Sequence, residues 1–439
     1  MPRSRILHHL NWQGGIVLPA NQGKLEALTR DSIEGLQLKR LNTLLQQVQK
    51  RPFYKNWFND DVMQLGHLEE LLSLPLLEKS DLLSTESCAP GLQFDLPRKA
   101  YTRLHQTSGT KGFPMAVLDT PEDWEWWLKC WDHVLDAAEI TESDVAMMAF
   151  SFGPFIGFWT ANDALVKRGA LVVPGGGLSS QKRLQMIADH RCTILCCTPT
   201  YALHLVSVAN QMGLDLSEST ITRIIVAGEP GGSIPSVRSR IEQGWGAKVI
   251  DHCGASEVGA WGFGDSKGEG IHVIETEFIA EVLQVDDSSP RGCPVPEGQL
   301  GELVLTSLGR FGGPVIRYRT GDRVRAFRDH QKSCPFIWFD GGVVGRADDM
   351  LVIRGVNVFP SSVESIVRDC LAYAEFRMIA TKKDEMDQLE IEVEADKEGV
   401  DKLASALRDR LTLRVDVRPV PIGSLPRFEA KSRRLDDQR

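Results

Sequence analysis

The sequence from Arg223 to Asp251 reads RIIVAGEPGGSIPSVRSRIEQGWGAKVID, and this stretch decides the fold class. The apolar run at 223–228 predicts a buried strand, residues 234–244 predict a helix, and residues 248–251 predict a second strand. Glycine and proline between the first strand and the helix mark a loop. A strand, a crossover helix and a second strand in this order form a βαβ unit, in which the two strands lie parallel.

The same alternation of strand and helix continues upstream of this unit. Strands are predicted at 145–150, 170–174 and 193–198, and helices at 182–190 and 201–211. The pattern predicts an α/β protein whose large N-terminal domain has mostly parallel sheets covered by helices. Ligands of such sheets bind beyond the carboxyl ends of the strands. The loops at these ends are 151–155, 198–200, 228–231 and 252–257.

The pattern changes after about residue 278. Runs at 278–283 and 301–306 predict antiparallel strands of a smaller β subdomain. From about residue 347, short apolar runs and two helical patterns predict a small α+β domain. We therefore expect an N-terminal domain at residues 1–346, with its β subdomain at about 278–346, and a C-terminal domain at 347–439.

Length, composition and charge exclude several classes of protein. The chain has 439 residues, of which 42% are hydrophobic and 25% are charged, and its net charge is −9. These values are typical of a soluble globular protein. The acidic balance argues against nucleic acid as a partner, because binding to a phosphate backbone needs a basic surface. No apolar run is long enough to predict a membrane span, and the basic N-terminus is not followed by the apolar region of a secretion signal.

Nine cysteines are distributed over the chain. Their odd number and the lack of a secretion signal predict a reduced, cytoplasmic protein. Those in the apolar run 192–197 are predicted to be buried thiols in a strand. Cys253, His272 and Cys334 match no compact spacing of zinc ligands, so the sequence gives little support for a zinc site.

A loop rich in glycine and hydroxyl groups runs from Thr107 to Pro114 and reads TSGTKGFP. Residues 100–105 and 115–118 predict a strand on each side of it. Glycine permits a close approach of the backbone to a ligand, and exposed N–H groups and hydroxyls form an anion-binding concavity. The spacing matches neither the Walker loop nor the dinucleotide-binding fingerprint. From these residues alone, a polyphosphate-binding loop and an ordinary turn are both open.

Four single residues in other segments carry further polar chemistry. Glu257 follows a predicted strand and could hold Mg²⁺ against phosphates, although a solvated loop acid is the alternative. Asp322 follows a tight turn and suits the hydroxyls of a sugar. Arg346 lies at the junction to the C-terminal domain. Lys431 lies in a polar loop near the end of the chain, where an isolated lysine is usually a solvated charge.

Together and in this order, these segments resemble the acyl-adenylate-forming enzymes, and within them the phenylacetate–CoA ligase branch. The resemblance covers nearly the whole chain from about residue 40. The stretch RGVNVFP at 354–360 is especially similar to that branch. The segments that carry the resemblance are 107–114, 198–201, 227–230, 254–257, 314–322, 345–360 and 425–431.

The resemblance implies a two-step reaction that uses ATP, Mg²⁺ and coenzyme A. A carboxylate attacks the α-phosphate of ATP and gives an acyl-adenylate and pyrophosphate, and the thiol of coenzyme A then displaces AMP. An apolar, ring-lined pocket fits an aryl or arylacetic acid. One alternative is an acyl-AMP ligase that loads a carrier protein or an amine, and another is a non-catalytic nucleotide-binding relative. The chain is expected to be a monomer or a homodimer.

The resemblance also implies roles for individual residues in binding ATP. Glu257 would coordinate Mg²⁺, Asp322 would bind the ribose hydroxyls, and Arg346 would support the ribose and phosphate side. Lys431 would bridge the carboxylate and the α-phosphate during adenylation. The loop that would hold the β- and γ-phosphates consists of Thr107, Ser108, Gly109, Thr110, Lys111 and Gly112. The other nucleotide-binding residues would be Gly228, Glu229 and Pro230 beside adenine, with Gly254, Ala255 and Ser256.

Members of this family swing the C-terminal domain between the two half-reactions, which implies a mobile domain here. Asp348 matches the hinge, and Gly355 matches the glycine beside the pantetheine channel. Two positions depart from the family pattern: Lys111 stands where most relatives have Thr or Ser, and Cys253 where they usually have an aromatic residue. The acid pocket is implied to consist of Phe150, Ser151, Phe152, Phe155, Ala227, Cys253, Val258 and Trp261.

Overall fold

The structure is a computed structural model that describes most of the chain. The residues outside this description are 1–26, 59–63, 85–88, 108–113, 151–152, 155, 158, 266, 287, 329–333, 347–350, 354–355, 372–373, 384–385, 412 and 428–433. The α-helices are α1 Arg30–Val48, α2 Pro52–Phe58, α3 Lys79–Leu82, α4 Pro121–Ala137, α5 Trp159–Arg168, α6 Ser180–Asp189, α7 Pro199–Gln211, α8 Pro235–Trp245, α9 Pro360–Cys370 and α10 Lys397–Leu411. None of these helices combines the length and the apolar character needed to cross a bilayer.

Short 3₁₀ helices at Leu68–Ser73, Arg98–Ala100 and Leu216–Glu218 complete the helical structure of the described chain. Strands up to the middle of the chain are β1 Arg103–Gln106, β2 Ala116–Asp119, β3 Val145–Met148, β4 Leu171–Pro174, β5 Ile194–Cys197, β6 Arg223–Ala227, β7 Lys248–Ala255, β8 Gly259–Phe263 and β9 Gly270–Val273. The remaining strands are β10 Phe278–Asp286, β11 Ser289–Pro294, β12 Leu300–Ser307, β13 Tyr318–Phe327, β14 Trp338–Asp340, β15 Gly345–Arg346, β16 Leu351–Ile353, β17 Val356–Val358, β18 Phe376–Lys383, β19 Met386–Val393, β20 Asp416–Pro419 and β21 Leu435–Asp437.

One sheet of 13 strands forms the centre of the molecule, in the order β11-β10-β12-β13-β14-β9-β8-β7-β6-β5-β3-β4, with β15 paired to β13. All pairings from β4 to β7 are parallel. From β7 to β11 the pairings are antiparallel. The predicted α/β class is thus confirmed. The smaller β subdomain is not a detached sheet, because β13 pairs with β12 along its length and with β14 at Ala326 and Phe327.

Two apolar cores cover the two faces of the parallel strands. Side chains alternate along a strand, so neighbouring residues face opposite sides. Accordingly, Ile250 of β7 packs in the core that contains Trp131 of α4, whereas Val249 packs in the core that contains Trp245 of α8. The predicted burial of the cysteines at 192–197 is confirmed, and burial raises the pKa of the Cys196 thiol to about 12.

Helix α4 begins at a reciprocal cap between Thr120 and Asp123. Thr120 is the N-cap, its Oγ1 accepts from the backbone N–H of Asp123 at 3.1 Å, and the Asp123 carboxylate accepts from the N–H of Thr120 at 3.1 Å. Pro121 occupies the first turn, where a missing N–H costs nothing. This reciprocal cap fixes the start of the helix that carries the tryptophans of the main core.

A second, four-stranded sheet lies near the end of the chain, in the order β20-β19-β18-β21. With α9 and α10 it forms a separate apolar core. It contacts the larger part of the molecule through α9: Ser361 Oγ donates to the carbonyl of Val344 at 2.6 Å, and Ser365 Oγ lies 3.3 Å from Ser236 Oγ. The predicted boundary after residue 346 stays a prediction, because 347–350 lie outside the described residues.

Glu277 joins α1 and α4 to the central sheet, although its side chain is fully buried. Its carboxylate accepts hydrogen bonds from Arg40 at 2.8 Å, from Lys129 at 2.6 Å and from Trp126 Nε1 at 2.8 Å. Burial would raise the pKa of this carboxyl, but the hydrogen bonds and charges of Arg40 and Lys129 outweigh burial and lower it. The ionised form is therefore stabilised in the folded protein above the usual pKa of glutamate, and this stability is lost as the pH falls through the lowered pKa.

Replacing Glu277 with glutamine is expected to lower the free energy of unfolding by about 1.5–3 kcal/mol at pH 7, because the buried hydrogen bonds from Arg40 and Lys129 lose their charged acceptor. Urea unfolding measures the change. The matched control is Glu34→Gln, which removes a 3.0 Å ion pair with Arg30. The Glu34 side chain is 45% exposed, so this substitution should lower the free energy of unfolding by about 1 kcal/mol or less. Equal losses in the two variants would contradict this account, and so would a Glu277→Gln deficit that does not shrink below about pH 4.

Candidate active site

The loops at the carboxyl ends of the parallel strands meet, as the sequence predicts. The Glu229 carboxylate, in the loop after β6, accepts a 2.9 Å hydrogen bond from the backbone N–H of Thr200, in the first turn of α7 after β5. A Cβ on Gly231 would come within 2.5 Å of Pro199 Cβ, so this loop and the start of α7 pack at a distance that only glycine permits. Gly228 has φ +94°, a left-handed conformation that also favours glycine. Gly228, Glu229 and Pro230 thus lie at an edge shared by two strand ends.

Glu257 follows β7 and is 8% exposed. Its carboxylate pairs with Nζ of Lys79, in α3, at 2.8 Å. The backbone on either side is also held, because Nη1 of Arg310 donates to the carbonyls of Ser256 at 2.8 Å and Glu257 at 3.1 Å. Glu257, the residue predicted to bind a metal ion, therefore lies in a loop whose backbone is held by hydrogen bonds. Its carboxylate is already paired with the positive charge of Lys79.

Arg310 connects the Glu257 loop to the strand that leaves the glycine-rich loop. Its side chain is fully buried, and its Nε and Nη2 donate to Oδ1 of Asp119, the last residue of β2, at 3.0 and 2.7 Å. Trp127 Nε1 donates to the same oxygen at 3.1 Å. Burial would raise the pKa of Asp119, but the charge of Arg310 outweighs it and lowers the pKa. Asp119 is thus an anion that the cation of Arg310 holds in the core.

Sequence reasoning missed Arg310, Asp119 and Lys79. The one available signal was the position of Arg310 as a lone cation in the stretch LGRFGG, where an arginine has few local partners. Nothing in the spacing points to Asp119 or Lys79, because both meet their partners only through tertiary structure.

Asp322 and Arg346 are brought together by strand pairing. They are register partners on β13 and β15, and Nη1 of Arg346 lies 3.2 Å from Oδ1 of Asp322. Gly321 has φ +75°, which turns the chain just before Asp322, and the N–H of Asp322 donates to Thr320 Oγ1 at 3.0 Å. Two residues predicted from separate segments thus form one half-buried, oriented pair.

The residues predicted for the acid pocket fall into two groups. Phe150, Ala227 and Cys253 are half-buried and pack at the border of the main core. Val258 and Trp261 are 0% and 1% exposed and lie inside that core. Among the described residues of the predicted pocket, only the first group is partly exposed, and Val258 and Trp261 are buried.

Other predicted site residues lie outside the described part of the chain, so their roles stay predictions. The glycine-rich loop is nevertheless described at its base: β1 and β2 pair antiparallel, and Thr107 Oγ1 accepts from the N–H of Met115 at 3.1 Å. This confirms the predicted strand-loop-strand arrangement at its two strands. The predicted residues outside the description are Ser108, Gly109, Thr110, Lys111, Gly112, Ser151, Phe152, Phe155, Asp348, Gly355 and Lys431.

The described residues on either side of 428–433, the segment that contains Lys431, are both arginines in ion pairs. Arg427 pairs with Glu394 at 2.6 Å, and Arg434 pairs with Glu375 at 2.5 Å. Burial would lower the pKa of Arg434, but nearby carboxylates, Glu229 among them, raise it.

Comparison with protein families gives two matches. Residues 98–313 match the AMP-binding enzyme family, and residues 355–439 match the AMP-binding enzyme C-terminal domain. Phenylacetate-coenzyme A ligase of Escherichia coli is 30% identical over 438 residues, which cover 94% of this chain and 97% of the relative. Phenylacetate-coenzyme A ligase of Thermus thermophilus is 29% identical over 460 residues, which cover 95% and 99%.

Solved structures of 2-hydroxyisobutyryl-CoA ligase are also similar. The complex with R3-HIB-AMP in the postadenylation state aligns with a TM-score of 0.88 and 25% identity, covering 99% of this chain and 95% of that one. The complex with 2-HIB-AMP and CoA in the thioesterification state aligns with a TM-score of 0.70 and 27% identity, covering 94% and 91%. By TM-score, the structure of the present chain is thus more similar to the postadenylation complex than to the thioesterification complex.

Replacing Arg310 with lysine keeps a positive charge beside Asp119 but removes the planar fork that reaches the carbonyls of Ser256 and Glu257. We expect the free energy of unfolding to fall by about 2–4 kcal/mol, and amide hydrogen exchange at 255–258 to accelerate. Urea unfolding and native-state exchange measure the two effects.

The control for this substitution is Arg103→Lys. Arg103 also pairs with an aspartate, Asp163, at 3.0 Å and lies 4.0 Å from the ring centroid of Trp124, but it is 38% exposed. Its replacement should cost about 1 kcal/mol or less and leave exchange at 255–258 unchanged. Unaltered exchange there in Arg310→Lys would show that Arg310 does not fix the Glu257 loop.

Proposed function

The chain belongs to the AMP-binding enzyme family and is an AMP-forming acid–CoA ligase of the phenylacetate-coenzyme A ligase type, and we propose that it acts on an aromatic carboxylic acid, either aryl or arylacetic. The match to phenylacetate-coenzyme A ligases over nearly the whole chain carries this proposal. Phe150, Ala227 and Cys253 support it, because they offer apolar surface at the strand ends where such a ligand binds. ATP and coenzyme A are substrates of ligases in this family.

In the proposed first step, a carboxylate oxygen of the acid attacks the α-phosphorus of ATP, and pyrophosphate leaves. The loop 107–112 holds the β- and γ-phosphates, and Asp322 accepts from the ribose hydroxyls. Arg346, already paired with Asp322 at 3.2 Å, has further N–H groups that can face the phosphate side. Lys431 bridges the attacking carboxylate and the α-phosphate. Such residues act by positioning and by neutralising charge, which is what phosphoryl transfer needs most.

Glu257 is the described carboxylate that fits a magnesium ion. Mg²⁺ prefers carboxylate and phosphate oxygens, and the place beside Glu257 already holds the charge of Lys79 at 2.8 Å. When bound, the ion would neutralise the phosphates of ATP. Glu257 would then exchange Lys79 for the metal–nucleotide complex, while Arg310 keeps the loop backbone in place.

In the proposed second step, the thiol of coenzyme A attacks the acyl carbon, and AMP leaves. Residues 347–439 rotate about Asp348, and Gly355 leaves clearance for the pantetheine arm. In the present arrangement α9 contacts the larger part of the molecule through Ser361 and Ser365, and these contacts would have to break. Each neutral hydrogen bond of this kind contributes about 0.5–1.5 kcal/mol.

Pyrophosphate release across a panel of carboxylic acids, with and without coenzyme A, tests the proposal. We expect release with benzoic and phenylacetic acids, and a thioester and AMP only when coenzyme A is present. A preference for short aliphatic acids would contradict the aromatic class. Adenylate formation without thioester formation, in the presence of coenzyme A, would instead favour the alternative of a carrier protein or an amine as acceptor.

Lys431→Ala is expected to slow adenylate formation by about 10²- to 10³-fold, because one preorganised positive charge is lost from the transition state. Conversion of a supplied acyl-adenylate to the thioester should change by less than about threefold, since this step follows rotation of the domain. Single-turnover kinetics of each half-reaction provide the measurement. Lys402→Ala, which removes an exposed lysine of α10, is the control and should leave both rates unchanged. An equal loss in both half-reactions for Lys431→Ala would refute its assigned role.

A further inference from the structure

His252 lies on β7 between Asp251 and Cys253, and no role has so far been assigned to it. Its side chain is 7% exposed. The imidazole packs against Trp131 of α4, with ring centroids 4.3 Å apart, so it faces the helix side of the sheet. Its register partner on β6 is Ala227, a half-buried residue of the proposed acid pocket.

One hydrogen bond fixes the tautomer of His252. Nδ1 lies 2.8 Å from the backbone carbonyl of Gly262 on β8. A carbonyl oxygen only accepts, so Nδ1 carries a hydrogen. Burial lowers the pKa of the imidazole to about 4, against the opposing effect of the bond to Gly262. The ring is therefore neutral at neutral pH, and Nε2 carries a lone pair and no hydrogen.

Nε2 lies beside Gly254, near the end of β7. It lies 3.4 Å from the position that a Cβ on Gly254 would take, and Gly254 is exposed. Among the residues that the structure describes, none forms a hydrogen bond with Nε2. A nine-tenths-buried ring therefore carries an acceptor with no described protein partner, next to the exposed Gly254 and on the strand position paired with Ala227. An acceptor in such a place favours the binding of a ligand that donates a hydrogen bond to it. It disfavours the binding of a ligand that excludes water but has no donor, because the acceptor is then left unpaired.

We propose that His252 Nε2 is a specificity-determining acceptor in the acid pocket, and that the acid which this enzyme activates carries a hydroxyl or amino group that donates to it. This inference rests on the proposed function and narrows its substrate class to acids with a hydrogen-bond donor on the acyl group. His252 takes no part in either chemical step. It acts by retaining acids that satisfy its lone pair.

Matched acids test the inference on the unmodified enzyme. The series consists of benzoic and phenylacetic acids that differ at a single position, either on the ring or at the α-carbon. At that position they carry hydrogen, fluorine, a hydroxyl group or an amino group. Fluorine is similar in size to hydroxyl but donates no hydrogen bond. At one position, kcat/KM for pyrophosphate release should be about 10- to 100-fold higher for the donor-bearing acid than for both the hydrogen and the fluorine analogues, because a buried polar group strongly disfavours a ligand that leaves it unpaired.

Variants assign this preference to Nε2. His252→Phe keeps a ring against Trp131 but removes the acceptor, so the preference should fall below about threefold, through loss on the donor-bearing acid alone. His252→Gln places an amide oxygen near the position of Nε2 and should recover part of the preference. The control is His133→Phe, because His133 is equally buried and its ring stacks on Phe263 at 5.7 Å in the same core. It should leave the preference unchanged.

The possible outcomes separate this inference from the proposed function. Turnover of aromatic acids without any preference for donors, or a preference that survives in His252→Phe, would overturn the role of His252 and leave the proposed function standing. Failure to turn over any aromatic acid would overturn the proposed function, and the same comparison of hydroxy, fluoro and unsubstituted aliphatic acids would then decide the role of Nε2. If His252→Phe does not fold, His252→Gln and the fluorine comparison on the unmodified enzyme decide it.

Discussion

The buried pair of Arg310 and Asp119 is the interaction on which the site depends. Two buried charges are expensive to remove from water, and the cost is recovered only when their hydrogen bonds are satisfied. Here Nε and Nη2 of Arg310 bind the carboxylate, and Nη1 binds two backbone carbonyls. The pair therefore does more than stabilise the core. It sets the distance between the strand that follows the glycine-rich loop and the loop that presents Glu257.

The change from parallel to antiparallel pairing gives the site its other components. Strand β7 is parallel to β6 and antiparallel to β8. It therefore lies at the border between the parallel half of the sheet and the antiparallel half that continues to β13. Glu229 comes from the first half, and the pair of Asp322 and Arg346 comes from the second. The C-terminal part contacts the larger part of the molecule through Ser361 and Ser365 of α9.

Local sequence patterns predicted the individual helices and strands better than the pairing between distant strands. The βαβ alternation around Arg223–Asp251 was predictable from the sequence, because hydrophobic periodicity depends on near neighbours. The pairing of β13 with β14 was not, because register between distant strands leaves no local signal. In the site, Glu257 and Asp322 were identified through their motifs. Arg310 and Lys79 were missed, because an ion pair made across more than a hundred residues has no spacing to recognise.

His252 shows the same limit at the level of a single atom. The sequence contains the histidine, but its tautomer is set by the carbonyl of Gly262, which the β7–β8 pairing places 2.8 Å from Nδ1. The direction of Nε2 follows from the same contact. Specificity in this pocket therefore depends on backbone geometry as well as on the residues that line it.

Oxygen transfer from the acid to AMP tests adenylate formation most directly. The acid is supplied with both carboxylate oxygens as ¹⁸O, together with ATP and coenzyme A, and the products are examined by mass spectrometry. One labelled oxygen should appear in AMP and the other in the thioester, because the carboxylate oxygen that attacks the α-phosphorus leaves with AMP when the thiol attacks the acyl carbon. Unlabelled AMP, or ADP together with labelled inorganic phosphate, would contradict an acyl-adenylate intermediate.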